Sequence, residues 1–326
     1  MASLKQKILE EAQNDLIEIE KELIDNLDPY LDVVKDIAKH ILFSGGKRLR
    51  PLLFVLWAKI CNYNGNIDKK VSVIFEYLHA ASLLHDDLVD GAEMRRKKKV
   101  ANLMWNNSAA VLVGDFLLAK ALNIASQTSN LDIIKSIADS TEMMTQGEIH
   151  QLFAKENINL TEDEYMKVIQ SKTAVLIQGA CKSGAIIAGA SKSEQESASI
   201  YGLNLGVAFQ IVDDLLDYTA DAETLGKNIG ADLKEGKLTL PVIYALKRAD
   251  LSDKKFMERI IKNKNFSLEE FNMFKDLLNK YKGIAYSENA AKQFALNAKE
   301  AISAFNQSKA KNILLMLGDY TLIREE

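Results

Sequence analysis

Proline is scarce in this chain: three residues in 326, at Pro29, Pro51 and Pro241. Proline removes an amide donor and clashes with the preceding turn. So few breakers leave nearly the whole chain free to be helical. Cysteine is scarcer still. Cys61 and Cys181 stand in unrelated contexts with no CxxC pair, which argues against a disulfide framework and fits a reducing cytoplasm. Basic charge is not in excess either: 41 Lys and Arg against 45 Asp and Glu give a net charge of −4. No global field is present to attract nucleic acid. Long uncharged apolar runs are missing. The N-terminus (MASLKQKILEEAQNDLIEIEKEL) lacks the apolar core of a signal peptide. The most apolar stretch, Ala109 to Ala125, contains Asp115 and Lys120, so no transmembrane segment is expected. Period-two strands and Asn-Gly hairpins are also missing, as are short repeats and low-complexity linkers.

What is present is ordinary globular material, 48% hydrophobic and 26% charged. Apolar residues recur at three- and four-residue spacing. Ile8, Ala12, Leu16 and Ile19 form one stripe, and Val71, Ile74, Phe75 and Leu78 another. The expectation is an all-α fold, one large helical bundle in a single domain spanning 1–326, with function on inward faces and loops. Breaks are expected at Ser44 to Gly46, Asn62 to Asn66, Lys97 to Lys99 and Asn157 to Thr161. The longest irregular stretch runs from Thr219 to Pro241 with Gly226, Gly230 and Gly236, and reads either as a lid or as a passive connector.

Two acid clusters stand out. Asp86, Asp87 and Asp90 lie in LLHDDLVD, and Asp213, Asp214 and Asp217 in FQIVDDLLDY. Residues four apart share a helical face about 6 Å apart along the axis. Like charges at that spacing cost a helix roughly 0.2–0.5 kcal/mol per pair unless offset. Apolar flanks make both helices half-buried, and half-buried carboxylates need a cation. Hard carboxylate oxygens favour Mg²⁺, which completes its shell with water and phosphate. A solvated acidic face is the plainer reading of one such cluster; two copies with one spacing argue against it.

Groups suited to phosphate surround the clusters. GGKRLRP (Gly45 to Pro51) places two glycines before Lys47, Arg48 and Arg50. Glycine lets backbone approach an anion, and arginine offers forked donors matched to phosphate oxygens. Arg95 and Arg96 follow the first cluster. Lys172-Thr173, Lys227 and Lys237 are expected in or near helix ends and loops. Each alone reads as a solvated surface charge, and the run Lys97 to Lys99 is read that way too.

From about residue 40 to residue 245 the chain resembles the trans-polyprenyl diphosphate synthases. GGKRLRP looks like that family's isopentenyl-binding motif, DDLVDGAEMRR like its first aspartate-rich motif, and FQIVDDLLD like its second. Lys172-Thr173 and EGKLTLP (Glu235 to Pro241) fit in order and spacing. The resemblance implies an α-helical fold around a deep central cavity and Mg²⁺-dependent condensation of isopentenyl diphosphate with an allylic diphosphate. It implies Mg²⁺ ligands at Asp86, Asp90 and Asp213, with Asp87, Asp214 and Asp217 as additional or supporting acids. It assigns Arg95, Lys172, Thr173, Gln210, Lys227 and Lys237 to the allylic diphosphate. It assigns Gly46, Lys47, Arg50, His79 and Arg96 to isopentenyl diphosphate. On their own, His79 reads as a packing residue and Gln210 as a buried amide. One departure is Lys97, where the family usually has glycine after Arg-Arg.

The chemistry so implied is electrostatic. Departing diphosphate is stabilised by metal and cationic side chains, and the allylic cation must be kept from water. Ala81 and Ser82 precede Asp86 by about a turn. In family terms small residues there leave the cavity open, which implies a long all-trans product of the kind that tails a quinone and partitions to membrane. The family also implies a homodimer. Four alternatives compete. A short-chain farnesyl or geranylgeranyl diphosphate synthase is one. A non-catalytic partner subunit tends to lose an aspartate motif, yet both stand here. A ferritin-like di-iron bundle needs two ExxH motifs, and Glu76 with His79 supplies one. A terpene cyclase would not need GGKRLRP.

Overall fold

The computed structural model describes residues 3–96, 98–219, 230–263 and 265–323. They are mostly helical, as the scarcity of proline permits. The chain divides into two compact units.

The first unit comprises residues 1–141, 176–199 and 302–316. Its N-terminal part is α1 (Leu4–Glu11), α2 (Gln13–Asp25), α3 (Asp32–Leu42), α4 (Leu49–Ile60), α5 (Asp68–Ser72), α6 (Ile74–Val89), α7 (Ala101–Met104) and α8 (Asn107–Gln127). Ser3 caps α1 by accepting from the Gln6 amide. In the first stripe Ile8, Ala12 and Ile19 are buried and Leu16 half-buried; the second stripe is buried throughout. α4 is apolar on nearly every side, with Leu52 to Ala58 all buried, which is the pattern of a central helix. Around it Trp57 meets Phe305 edge-on at 5.4 Å. Tyr77 donates from its hydroxyl to the Leu23 carbonyl at 2.8 Å. α6 packs along α8. By length and composition α8 is apolar enough to cross a membrane, yet 39% of its apolar window is buried within the protein.

The break expected at Lys97 to Lys99 contains something the sequence did not signal. β1 (Met94–Arg95) pairs antiparallel with β2 (Lys98–Lys99), Met94 opposite Lys99 and Arg95 opposite Lys98. Strands of two residues are too short to show alternation. Lys97 itself lies outside the described residues.

The second unit comprises residues 142–175, 200–301 and 317–326. It takes in the later part of α9 (Leu131–Ala154), α10 (Glu162–Ile169), a π-helical turn (Gln170–Ala174), and residues 200–219 of α12 (Lys192–Thr219). The turn leads into α11 (Val175–Ile187) of the first unit. α13 (Ala231–Lys234), α14 (Leu240–Leu246), α15 (Leu251–Lys262), α16 (Leu268–Lys280) and α17 (Gly283–Ala301) follow, and α18 (Lys309–Leu322) begins in the first unit and ends in the second. Thr161 and Glu164 form a capping box at α10, and Ser267 and Glu270 another at α16. Pro241 sits in the first turn of α14, where its missing amide is no loss. The core packs Val207, Ile211, Tyr218, Leu240, Met257, Phe271 and Phe274. Full burial of each large side chain contributes roughly 1.5–3 kcal/mol.

Candidate functional site

In the first unit, Asp86 and Asp87 occupy the last turn of α6 and Asp90 is its C-cap, with the Asp90 amide donating to the Asp86 carbonyl at 2.8 Å. A helix C-terminus carries partial negative charge, so carboxylates there are unfavourable and a cation is favourable. No basic residue lies in that turn to offset them. Asp87, 3% exposed, is turned to Arg95, whose Nε donates at 2.9 Å and whose Nη2 lies at 2.8 Å from the same oxygen. Asp86 and Asp90 are half-buried. Ala81 is buried close by on the same helix, and the Ser82 hydroxyl donates to the His79 carbonyl at 2.9 Å.

The same unit gathers guanidinium groups. Gly45 has φ +104 and Arg48 has φ +48, so the GGKRLRP loop turns in the left-handed region before α4 begins. Arg48 does not face a ligand as the motif alone suggested. Its Nε donates to Glu20 at 2.6 Å, and its Nη1 to Glu76 at 2.9 Å and to the Leu42 carbonyl at 2.7 Å. Glu76 is thereby accounted for as an ion-pair partner rather than half of a metal motif. Gly46 lies against this group: a Cβ there would meet Arg48 Nη1 at 3.2 Å and Arg96 Nη1 at 3.3 Å. Arg50 Nε is buried without a hydrogen-bond partner. Burial lowers the Arg50 pKa, with nearby Arg96 adding to the effect and Glu76 opposing it. Burial, then Arg50, Arg95, Arg96 and Arg48, hold His79 well below the usual imidazole range, so it is neutral at pH 7. Gly46, Arg50, His79 and Arg96 are thus brought together, while Lys47 is exposed at the loop. Clustered guanidiniums with an orphaned donor fit an anion with several oxygens.

In the second unit, Asp213, Asp214 and Asp217 fall in the last two turns of α12, again at a C-terminus with no basic residue in the last turn. Asp214 is 7% exposed, and both its oxygens are engaged. Tyr165 donates its hydroxyl to one at 2.6 Å and Gln210 its amide nitrogen to the other at 2.7 Å. Gln210 in turn accepts from the Thr173 hydroxyl at 2.8 Å. Asp217 accepts from the Ala231 and Asp232 amides at 3.0 and 3.1 Å. Burial pushes the Asp214 carboxyl up to about 7, with Asp213 adding to the effect and Tyr165 and Gln210 opposing it. Burial, then Asp214 and Asp217, raises Asp232 well above the carboxylate range, and Lys237 opposes this. Crowded buried acids of this kind suit a cation. Among the described residues, no three His, Cys, Asp or Glu side chains converge closely enough to hold an ion by themselves. A metal here would complete its shell from water and ligand, which is the habit of Mg²⁺.

A pocket of about 170 Å³ opens here, lined by Lys172, Thr173, Gln210, Asp213, Asp214 and Lys237 from the sequence reading. Lys237 is paired with Glu235. Lys172, expected in or near a helix end or loop, sits in the π-helical turn between α10 and α11. The turn is gripped on two sides. A Cβ on Gly147 would meet the Lys172 amide nitrogen at 2.5 Å, and one on Gly206 would meet Ala174 Cα at 2.6 Å. Glycine at both places admits the widened turn, and such turns are frequent at functional sites. Lys172 Nζ reaches Glu148 at 2.5 Å and Gln151 at 2.7 Å. Lys227 and Gly226 lie outside the described residues.

Sequence reasoning missed Tyr165, Asp232, Glu148 and Gln151. Tyr165, Asp232 and Gln151 line the pocket, and none carries a motif of its own. The available signal was spacing: Tyr165 stands seven residues before Lys172, and Asp232 five before Lys237.

Three comparisons bear on what such a chain is. The polyprenyl synthetase family model matches residues 31–278. Octaprenyl diphosphate synthase of Haemophilus influenzae is 35% identical, over 94% of this chain and 93% of the relative. A polyprenyl synthase from Caulobacter crescentus, solved with calcium and isoprenyl diphosphate, has a TM-score of 0.92 at 34% identity, covering 99% of this chain and 98% of the other. A decaprenyl diphosphate synthase from Rhodobacter capsulatus has a TM-score of 0.93 at 33% identity, covering 99% of each chain.

Proposed function

The chain belongs to the polyprenyl synthetase family, and on that premise we propose that it condenses isopentenyl diphosphate with an allylic diphosphate, repeatedly, to a long all-trans polyprenyl diphosphate. The observation that carries the reading is the guanidinium cluster with its orphaned Arg50 donor beside a neutral His79. That cluster binds the isopentenyl diphosphate through Gly46, Lys47, Arg50, His79 and Arg96. The allylic diphosphate is taken by Arg95, Lys172, Lys227 and Lys237, with Thr173 and Gln210 shaping the pocket. Asp86 and Asp90 in the first unit and Asp213 in the second are ligands of divalent cations, Mg²⁺ on the hard-oxygen argument, and Asp87, Asp214 and Asp217 support them through the hydrogen bonds described. A divalent cation held there would neutralise the charge that develops on the departing diphosphate.

The residues then divide the work. Cationic side chains orient both diphosphates, so the allylic carbon and the isopentenyl double bond meet in line. The carboxylates are committed to metal, ion pairs and internal hydrogen bonds, and the proton released on coupling passes to the departing diphosphate. Apolar walls exclude water from the allylic cation. Ala81 and Ser82 leave room for a lengthening chain. The long-chain reading is supported by their small size and by the named relatives, an octaprenyl and a decaprenyl synthase. Further parts of the proposal are that the 326 residues act as one synthase domain, that two copies form the working homodimer, and that it works in the cytoplasm. The buried unpaired thiols Cys61 and Cys181 support the last. The product partitions to membrane and tails a quinone.

The test is incubation of the purified chain with farnesyl diphosphate, labelled isopentenyl diphosphate and Mg²⁺, with dephosphorylated products resolved by length. A ladder ending at about forty carbons is expected. A stop at fifteen or twenty carbons would leave the chemistry and overturn the long-chain reading. No incorporation across several primers and metals would overturn the enzyme in favour of a silent partner subunit.

A further inference from the structure

Resting on that reading, we propose that Tyr165 is a positioning residue for the allylic diphosphate: its phenol fixes the Asp214 carboxylate, which through Gln210 fixes the Lys172-Thr173 turn. The four side chains form one unbroken line. Tyr165 Oη reaches Asp214 Oδ2 at 2.6 Å, Gln210 Nε2 reaches Asp214 Oδ1 at 2.7 Å, and Thr173 Oγ1 reaches Gln210 Oε1 at 2.8 Å. All four line the same pocket with Lys172 and Lys237.

A buried tyrosine often needs no more than a backbone acceptor, and this protein contains one: Tyr77 donates to the Leu23 carbonyl deep in the first unit. Tyr165 is also buried, 4% exposed in the core of its own unit, but its hydroxyl goes to a side-chain carboxyl oxygen. At 2.6 Å this is a short O–H···O bond, so the position of the phenol and the orientation of the acid are tied together. With both oxygens held, Asp214 presents one orientation to Gln210. An amide whose nitrogen serves Asp214 must turn its oxygen to Thr173, so the direction of the whole line follows from the acid.

The far end of the line is the π-helical turn. α-Helical spacing is the default for this segment, and the widened turn persists through added constraints. Gly147 and Gly206 supply close packing against two faces of its backbone. The Thr173 hydroxyl supplies a third constraint, from a side chain. Thr173 gives its hydrogen to Gln210, so the donor offered from this turn to a phosphate oxygen is the Lys172 ammonium. Tyr165 acts on that ammonium at a distance, by holding the turn that carries it.

The experiment compares full-length wild type, Tyr165→Phe and Tyr165→Phe combined with Gln210→Leu. Steady-state kinetics with Mg²⁺ would be run varying each substrate in turn. Loss of one buried hydrogen bond that leaves its partner unsatisfied changes an equilibrium by about tenfold. The expected result for Tyr165→Phe is a KM for the allylic diphosphate raised about tenfold, an unchanged KM for isopentenyl diphosphate, and an unchanged circular dichroism spectrum. Adding Gln210→Leu should then cost little more, because the line is already broken. Calorimetric binding of inorganic pyrophosphate with Mg²⁺ reads the same effect without turnover and should weaken in parallel. Wild-type KM values with wild-type pyrophosphate affinity in Tyr165→Phe would overturn the proposal. An equal rise in both KM values with early unfolding would also overturn it, in favour of a packing role. An inactive wild type would defeat the proposed function instead, and the pyrophosphate comparison would still decide the role of Tyr165.

Discussion

Arg48 holds φ +48 at the entry to α4, and its guanidinium runs inward to Glu20 and Glu76. Both it and Glu76 are nearly removed from water. Breaking a buried pair strands the remaining charge, which is worse than never having had the pair. Arg48→Met should therefore destabilise the protein by about 3 kcal/mol, read by denaturant unfolding; a shift below a tenth of that would show the pair to be idle. Ala81 makes a different residue-scale prediction. It is buried at 6% exposure on α6, one turn before Asp86. Ala81→Phe should shorten the product ladder at unchanged incorporation of the first unit, and a ladder of wild-type length would remove Ala81 from the path of the chain. The cysteines predict inertness. Burial pushes the Cys61 thiol up to about 12 and also raises the Cys181 thiol well above its ordinary range. Thiolate is the reactive form, so below pH 9 almost none is present, and reactivity rises only as pH approaches the raised value. Neither thiol should react with a chromogenic disulfide at pH 8 until denaturant is added; fast labelling of the native protein would contradict this.

The elements are decided by small features at their ends and contact points. Both acid clusters close a helix, α6 in one unit and α12 in the other, where dipole and carboxylates repel together and a cation relieves both. The π-helical turn depends on close contacts that only glycine permits. Gly147→Ala places a Cβ 2.5 Å from the Lys172 amide nitrogen, so backbone must move. Overpacking of this kind costs about 1–3 kcal/mol, and a displacement of about 1 Å at a positioned group can lower turnover about a hundredfold. The expected outcome is a folded protein with kcat/KM reduced by that order. Activity within a factor of two of wild type would mean that the turn tolerates displacement. The hairpin of β1 and β2 is the converse case, an element too short for sequence to announce, which seats Arg95 and Arg96 just after the first cluster.

At the scale of the whole molecule the question is what covers α8. Leu112 is 65% exposed on it, with Val111 and Leu122 also exposed. Apolar side chains along one helix face mark a surface that gains by burial. In the homodimer proposed above this helix is the first place to look. Wild type should sediment at twice the 36.4 kDa of one chain, and Leu112→Glu should shift it toward one chain. A dimer unaffected by the charge would place the interface elsewhere, and a wild-type monomer would end the dimer proposal.

Composition and motif order determined a great deal without coordinates. Three prolines and pervasive three-four spacing were enough for an all-helical fold, because helix is the default for such a chain once nothing breaks it. GGKRLRP, the paired acid clusters and Lys172-Thr173 were enough for the family, because diphosphate chemistry needs those groups in quantity. Tertiary structure alone decided which of them are tied up inside the protein. Arg48 and Arg50 are two residues apart in one motif, yet one is buried in an ion pair and the other keeps an orphaned donor, since α4 and the left-handed turn before it point them differently. Tyr165 and Asp214 are 49 positions apart, and no periodicity relates them. Their contact exists only because α10 and α12 pack in one core, and long-range packing leaves no trace in local spacing.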